Sequence, residues 1–230
     1  MTDQQPVIAI LGGSGALGSG LAWRWAAVGL PVVIGSRSQE KAEAAVSEIS
    51  KQHGVTFQAG LDNRAAAEAG DILVLTVPFS HQTDLLNEIK EFAQGKIFID
   101  VTVPLVPPKV ARVQLPELGA AALITQKILG GEVNVVSAFQ NVAAANLQVK
   151  GPVDCDVLVT GDDPKAREQV IQLAALAGID AYHAGPLDNA VVAEALTSVL
   201  IHINKRYKGH AGIRLSGLGG AIDSDNGSQK

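Results

Sequence analysis

The amino-acid sequence predicts an α/β class protein, a doubly wound fold with a mostly parallel central sheet. Short apolar runs alternate with helical patterns along most of the chain, and the first apolar run leads directly into a glycine-rich turn. Strands that alternate with helices form parallel sheets covered on both faces, because each crossover returns over the sheet. We expect one extended domain over residues 1–186, followed by a C-terminal helix and tail over residues 187–230.

Composition restricts the function classes. The 230 residues carry a formal net charge of −5, which argues against general nucleic-acid binding. Charged residues interrupt every apolar run before it reaches the ~20 residues needed to span a bilayer. The one cysteine, Cys155, excludes an internal disulfide and fits a reducing compartment. We therefore expect a cytoplasmic protein that binds neither nucleic acid nor membrane.

The first strand, predicted over Val7–Leu11, is followed by a dinucleotide-binding turn and by a helix to about Val28. The turn has the G-x-G-x-x-G spacing. The first glycine allows a tight turn, the second lets a diphosphate approach the backbone, and the third lets the helix and strand pack closely. The helix that begins here offers unpaired N–H groups to an anion. The turn predicts a Rossmann-type nucleotide site formed by Gly12, Gly13, Ser14, Gly15, Ala16, Leu17 and Gly18.

The second strand, Pro31–Gly35, ends where such folds often hold the adenosine ribose with a carboxylate. Here the chain instead offers Ser36, Arg37 and, one helical turn later, Lys41. These donors and positive charges suit a ribose 2′-phosphate, so the pattern favours NADP over NAD. The alternative is a solvated basic start of the following helix.

We predict the remaining strands and helices from the apolar periodicity and from the glycines and prolines that end them. Prolines predict an irregular loop after the fifth strand. Predicted strands are 55–57, 71–77, 96–101, 133–138, 156–160 and 179–184; predicted helices are 39–52, 63–69, a helix to 92 capped by Ser80, 120–129, 164–177 and 189–206.

The carboxyl ends of parallel strands form the ligand crevice, which places Thr76 to Thr83 beside a cofactor. His81 is either an acid–base group or a polar lining residue. Asp100 is expected to be a cap or loop anchor, and Asp162 with Asp163 a helix cap. Gln140 and Asn141 either hold a carboxamide or ring carbonyl of a ligand, or cap their own loop.

The C-terminal helix has a predicted buried stripe and a basic end. The basic residues either complement the helix dipole or anchor an acidic substrate tail. The sequence from Gly219 onward is small and polar, typical of a frayed end. The stripe comprises Val192, Leu196, Val199, Leu200 and Ile203; the basic cluster comprises Lys205, Arg206, Lys208, His210 and Arg214.

Other enzyme classes lack their motifs. Tyr182 and Tyr207 are followed at four residues by Pro186 and Ala211, not by the lysine of a short-chain dehydrogenase. No G-x-S-x-G elbow, P-loop or metal-spaced cysteine–histidine cluster occurs. A cradle that prefers NADP predicts hydride transfer by positioning of two rings, with few charged catalytic residues.

Several blocks in order resemble the NADPH-dependent deazaflavin reductases, the NADP:coenzyme F420 oxidoreductases. They are LGGSGALGSGLAWRWA, GSRSQEKA, TVPFSH, SAFQNV, VTGDDPKA, AGPLDNA and INKRYKGHAGIRLSGL. The resemblance implies a dimeric enzyme that reversibly transfers hydride between NADP(H) and C5 of the deazaflavin. It also implies that Ser14–Leu17 contact the diphosphate and that Ser36, Arg37 and Lys41 contact the 2′-phosphate.

The same resemblance assigns the ring-binding residues. Archaeal members of the family have a histidine where Gln140 stands and a proline where Ala143 stands. The alternatives are an FMN, FAD or other small acceptor, or a redox sensor that binds NADP without catalysis. The remaining expected cofactor contacts are Thr76, Val77, Pro78, Phe79, Thr83, Val103, Ala138 and Ala144; the expected substrate contacts are Phe139, Gln140, Asn141 and Val142.

Overall fold

The computed structural model describes residues 5–218, so the predicted frayed end from Gly219 lies outside the described residues. The strands are β1 Ile8–Leu11, β2 Val32–Ser36, β3 Ala59–Asp62, β4 Ile72–Leu75, β5 Ile97–Asp100, β6 Asn134–Ser137, β7 Val153–Gly161 and β8 Ile179–His183. The helices are α1 Ala16–Ala27, α2 Gln39–His53, α3 Asn63–Ala69, α4 Gln82–Ile89, α5 Ala121–Leu129, α6 Ala144–Leu147, α7 Pro164–Leu176 and α8 Ala190–Tyr207. Short 3₁₀ segments flank α4 and precede α8.

The strands form a single sheet in the order β3-β2-β1-β4-β5-β6-β7-β8. All neighbours pair in parallel except β6 and β7, which pair antiparallel through Val136–Gly161 and Ser137–Thr160. Because β6 ends at Ser137, the earlier part of β7 continues beyond the carboxyl edge of the parallel strands. The doubly wound, mostly parallel sheet is therefore confirmed, with a wall of β7 and β8 rising beside its carboxyl edge.

Helices cover both faces of the sheet, and β1 supplies side chains to both cores. Ile8 and Ile10 enter the core that contains Trp25, whereas Ala9 and Leu11 enter the opposite one. All four β1 side chains are fully buried, as expected for a central parallel strand. Trp25 is the largest fully buried side chain of the first core.

Two local predictions were wrong. The third strand is Ala59–Asp62, not residues 55–57, because Gly60 passes so close to α2 that a Cβ would lie 2.8 Å from the Ala42 carbonyl carbon. Small residues therefore form this strand, although the apolar residues before it looked more strand-like. Ser80 does not cap α4, since residues 79–81 form a 3₁₀ segment and no side chain caps the helix.

Arg24 fixes α1 to the segment that contains α6. Its guanidinium is 5% exposed and donates to backbone carbonyls, among them those of Leu147, Gly151 and Ala177 at 2.7–3.0 Å. Burial lowers the pKa of this side chain. Backbone carbonyls and the Trp23 ring, 5.1 Å from the guanidinium carbon, thus stabilise this cation, which holds α6 against α1.

The predicted apolar stripe of α8 is only partly buried: Leu200 is buried as predicted, and Leu196 and Ile203 are partly exposed. The buried residues of α8 also include Ala190, Ala193 and Glu194, whereas Val192 is 57% and Val199 43% exposed. Small residues permit close contact with α5 and β7, and the valines Val192 and Val199 lie on the outer face of the helix. No helix in residues 5–218 is both long and apolar enough to cross a membrane.

Candidate active site

A cleft of about 360 Å³ lies at the carboxyl edge of β1, β2 and β4. This is where the sheet order reverses direction around β1, the place where open α/β sheets bind ligands. The cleft is lined by Gly12, Ser14, Gly15, Ser36, Arg37, Asn63, Thr76, Val77, Pro78, His81, Asp84, Leu85 and Glu88.

The glycine turn forms the floor of this cleft, and the space around the absent side chain differs from one glycine to the next. A Cβ on Gly18 would lie 2.6 Å from the Thr76 hydroxyl and 2.8 Å from the Gly13 Cα, which is close packing. Gly15 is exposed, and a Cβ there would meet only the Gly12 carbonyl at 3.5 Å. Gly13 lies in the tight turn, as predicted, since a Cβ there would lie 2.9 Å from the Ile10 carbonyl oxygen; the residue before it, Gly12, is left-handed with φ +76°.

Gly15 also begins α1, and no side chain caps this helix end. The first turn contains no acidic residue, and the helix continues for 12 residues. Its unpaired N–H groups and the positive end of the helix dipole therefore face the cleft, and no carboxylate in the first turn of the helix competes for them. A phosphate or diphosphate group could accept hydrogen bonds here.

The end of β2 brings polar groups to the same cleft. The hydroxyls of Ser14 and Ser36 lie 3.4 Å apart, which joins the glycine turn to the end of β2. Arg37 is exposed and lines the cleft beside them. Lys41 is exposed on α2 and does not line the cleft.

Asn63 is a residue that the sequence analysis missed. Its side chain is buried, and its Oδ1 accepts a hydrogen bond from the Gly12 N–H at 3.2 Å. It thereby holds the left-handed residue of the turn in place. Its position directly after β3, at the carboxyl edge, was the signal that could have identified it.

The segment after β4 forms the opposite wall. The Thr76 hydroxyl donates to the Leu11 carbonyl at 3.0 Å, and Val77 and Pro78 line the cleft. His81 is exposed and lines the cleft too. Phe79 and Thr83 belong to the same segment but not to the cleft lining, and Val103 is half-buried in the loop after β5.

Two acidic residues, Asp84 and Glu88, line the same wall and were also missed. They lie one turn apart on α4, on the same face as His81. This helical spacing was the signal that could have placed them beside His81. They make the α4 side of the cleft acidic, opposite the positive charge of Arg37.

The loop after β6 lies at the same edge but presents little side chain to it. Phe139 is buried in a left-handed conformation with φ +71°. Gln140 donates to the Asp100 carbonyl and the Ser137 hydroxyl, both at 2.8 Å. Asn141 donates to the Ala193 carbonyl at 2.7 Å. Both amides thus use their donors within the protein, as in the loop-capping alternative.

The other residues of this loop differ in exposure. Val142 is buried, with 4% of its surface exposed. Ala138 is fully buried, whereas Ala143 and Ala144 are partly exposed at the start of α6. Among these residues, only small side chains are exposed.

Asp100 confirms its predicted anchoring role. It is fully buried, accepts from Gln82 at 3.0 Å and Thr125 at 2.5 Å, and also accepts from the Thr102 N–H at 2.7 Å. Burial raises the pKa of Asp100, although these hydrogen bonds oppose the shift. The carboxyl group thus ties β5, α4 and α5 together beneath the site.

Glu194 is a second buried carboxyl group that the sequence did not indicate. It accepts from the N–H groups of Ala121 at 2.6 Å and Ala122 at 3.1 Å, and so caps α5. Burial raises the pKa of Glu194 to about 8. It links α8 to the polar network around Asp100.

The two carboxylates of Gly161–Pro164 are structural. Asp163 accepts from the Ala166 N–H at 2.6 Å and caps α7, as predicted. Asp162 accepts from the Leu187 N–H at 3.0 Å. Across residues 5–218, no group of three or more histidine, cysteine or acidic side chains could hold a metal ion.

The residues of the basic C-terminal cluster have different surroundings. Arg214 lies within 3.1–3.7 Å of Asp154, Asp156 and Asp180, so its charge is already paired. Lys205, Arg206, Lys208 and His210 are exposed.

A larger groove of about 750 Å³ lies at the opposite edge of the sheet, between Lys96 and α7. It faces the amino ends of the parallel strands and contains neither the glycine turn nor the basic end of β2. The candidate site is therefore the smaller cleft, because it contains the glycine turn and the basic end of β2, which the larger groove lacks.

Comparisons with known proteins identify the family of this chain. The profile of the family described as NADP oxidoreductase coenzyme F420-dependent matches residues 7–104. The F420-dependent NADP reductase of Methanocaldococcus jannaschii is 42% identical over 92% of this chain and 98% of its own. That of Methanothermobacter marburgensis is 39% identical over the same shares.

A crystal structure from an Arthrobacter species has the same fold, with a TM-score of 0.73 at 24% identity, over 88% of this chain and 95% of that one. The glycine turn, the basic end of β2 and the full-length similarity lead to one conclusion. The chain belongs to the family of coenzyme F420-dependent NADP oxidoreductases.

Proposed function

We propose that this protein is an NADP-dependent oxidoreductase that reversibly transfers hydride between NADP(H) and the deazaflavin coenzyme F420. The observation that carries the proposal is the uncapped start of α1, open at Gly15, beside the pair Ser14–Ser36 and the side chain of Arg37. This arrangement suits a diphosphate and a 2′-phosphate on one nucleotide. The substrate follows from the F420-dependent relatives.

The cofactor contacts are part of the proposal. The glycine turn would hold the diphosphate with its N–H groups, and Ser36 with Arg37 would hold the 2′-phosphate. Lys41 would add charge at longer range, since it stands outside the cleft lining. The nicotinamide supplies the hydride, so the protein has only to orient two rings and limit water between them. The nicotinamide side would be bordered by Thr76, Val77, Pro78, Phe79, Thr83, Val103, Ala138 and Ala144.

The substrate side would be formed by the loop from Phe139 to Val142. Because the amides of Gln140 and Asn141 are used inside the protein, we expect backbone groups and small residues of this loop to contact the deazaflavin. The exposed ring of His81 would serve as polar lining for the cofactor, with no proton transfer required of it.

Anaerobic mixing of the purified protein with NADPH and oxidised F420 tests the proposal through bleaching of the deazaflavin absorbance. FMN and FAD run in parallel under the same conditions. Rapid bleaching of F420 alone supports the proposed function. Bleaching of FMN or FAD alone would reassign the substrate, and tight NADPH binding with no bleaching would indicate a sensor.

We also infer that the protein forms a homodimer through α8. Val192 and Val199 are exposed on this helix, and Leu196 and Ile203 extend the same apolar stripe at helical spacing. A stripe of this kind on an 18-residue helix is self-complementary about a two-fold axis. Equilibrium sedimentation should give a dimer for the wild type and a monomer for Val199→Asp; a monomeric wild type would contradict the inference.

A cytoplasmic location completes the proposal. Cys155 is a buried free thiol, which agrees with a reducing compartment. Cell fractionation with immunodetection would test the location.

A further inference from the structure

Asp100 has more structural partners than a simple loop anchor needs. Its side chain accepts hydrogen bonds from Gln82 at the start of α4, from Thr125 on α5 and from the Thr102 N–H. Gln82 also donates to Thr125 and to the Ala121 carbonyl. One buried carboxyl group therefore connects the segments on both sides of β5.

The backbone of Asp100 extends this network to the loop after β6. Its carbonyl accepts from the Ala138 N–H at 3.2 Å and from the Gln140 side chain at 2.8 Å. The Gln140 carbonyl in turn accepts from the Thr197 hydroxyl on α8 at 2.9 Å. Asp100 thus contacts α4, α5 and the loop after β6 directly, and α8 through Gln140.

This loop needs such support because its backbone is strained at Phe139. A non-glycine residue at φ +71° costs free energy and persists only when its surroundings fix it. The Phe139 ring is buried edge-on against Trp25, with ring centroids 6.1 Å apart. The hydrogen bonds of Gln140 hold the next residue, so the strained conformation is set from both sides.

We propose that Asp100, held by Gln82 and Thr125, is the positioning residue for hydride transfer in this protein. Ring-to-ring transfer tolerates little displacement, and small misplacements lower rates strongly. A buried carboxyl group is costly to retain, and apolar residues would fill the same volume with less penalty. The inference rests on the proposed function. It adds that Asp100 positions the loop from Phe139 to Val142, which forms the proposed substrate side.

Thr125→Val is the test, because valine keeps the shape of threonine but cannot donate to Asp100. Thr125 lies on α5 and does not line the cleft. Thr125→Ser restores the hydroxyl. Thr160→Val is the matched control, since Thr160 is equally buried and its hydroxyl has no hydrogen-bond partner within residues 5–218.

We expect Thr125→Val to lower kcat for F420 reduction about tenfold, with KM and Kd for NADPH changed less than about twofold. Thr125→Ser should recover most of kcat, and Thr160→Val should match the wild type. A Thr125→Val enzyme with a lower Tm but an unchanged kcat would overturn the proposal, as would failure of Thr125→Ser to recover activity.

Hydrogen–deuterium exchange of the peptide that covers residues 138–144 separates this proposal from the proposed function. Faster exchange in Thr125→Val than in Thr160→Val is expected, whatever the substrate is. Wild-type protein that fails to bleach F420 would contradict the proposed function alone. Unchanged exchange in Thr125→Val would contradict the positioning role alone.

Discussion

Two loops meet at the carboxyl edge of the sheet, and they expose their backbones in opposite ways. The glycine turn lacks side chains where a ligand would approach, and Gly15 has open space in front of it. The loop from Phe139 to Val142 has large and polar side chains, but all of them turn inward. Its donors reach Asp100, Ser137 and α8.

The difference shows that a backbone can be presented to a ligand by omitting side chains or by burying them. The glycine turn depends on local conformation, because Gly12 adopts φ +76° and Gly18 allows close packing. The second loop depends on distant partners, since Asn141 bonds to Ala193, 52 residues away. Substitutions in the first should therefore affect binding, and those in the second should affect stability and positioning.

The largest effect should come from Gly15→Val. The backbone at Gly15, with φ −77°, accepts any residue, and a Cβ meets only the Gly12 carbonyl at 3.5 Å. We expect the protein to fold with a Tm near that of the wild type but to lose NADPH affinity by about a hundredfold or more, because the side chain blocks the diphosphate. Calorimetric titration measures this loss; retained affinity would remove the turn from the proposed cofactor site.

Asn141→Ala should show the opposite behaviour. Loss of the buried hydrogen bond to Ala193 should destabilise the protein by about 2 kcal/mol, which lowers Tm by roughly 4–8 °C. NADPH affinity should change little. Thermal unfolding reports the first quantity and titration the second, with the partly exposed Asn146, which donates to the His210 carbonyl, as the matched alanine control. A large loss of affinity with an unchanged Tm would reverse the comparison.

Arg37→Ala tests whether this side chain, beside the glycine turn, binds the 2′-phosphate of NADPH. Only NADPH carries the 2′-phosphate, so its KM should rise about tenfold or more while KM for NADH stays nearly constant. Steady-state kinetics with both cofactors would measure the ratio. Equal losses for both would contradict assignment of the 2′-phosphate to Arg37.

The last prediction concerns Glu194, which joins α8 to the start of α5. Its folded pKa of about 8 lies above the unfolded value of 4.5, so its contribution is complete below about pH 4.5 and is lost as pH rises through about 8. Stability should fall with a slope of at most about 1.4 kcal/mol per pH unit in that window. Scanning fluorimetry from pH 5 to 9 should show a weaker fall of Tm in Glu194→Gln than in the wild type; identical slopes would exclude Glu194 as the titrating group.

Local pattern identified most elements because their causes are local. The apolar run before the glycines, the glycine spacing and the Asp163 cap each act within a few residues, and each was predicted at its place. The prediction was wrong at residues 55–57, at the Ser80 cap and at the outward-facing valines of α8. At Ser80 a local 3₁₀ segment replaced the predicted cap. At the other two places packing against another element decided the outcome, as when Gly60 lies against α2.

The site divides in the same way. The sequence identified the glycine turn and the serine–arginine end of β2 as neighbours, and the structure brings Ser14 and Ser36 within 3.4 Å. It did not identify Asn63 or Glu194, because neither lies in a motif. It also could not decide whether Gln140 and Asn141 bind a ligand or their own loop, since amide groups serve both purposes.

The sequence by itself determined the fold class, the nucleotide cradle and the family, because glycine spacing and apolar alternation constrain the backbone directly. Only the tertiary structure decided which polar side chains face the cleft and which support it from below. The physical reason is that a buried polar group must find partners, and those of Asp100, Arg24 and Glu194 come from segments far apart in the chain. Hydrogen bonds between such distant segments exist only once the sheet and its helices have assembled.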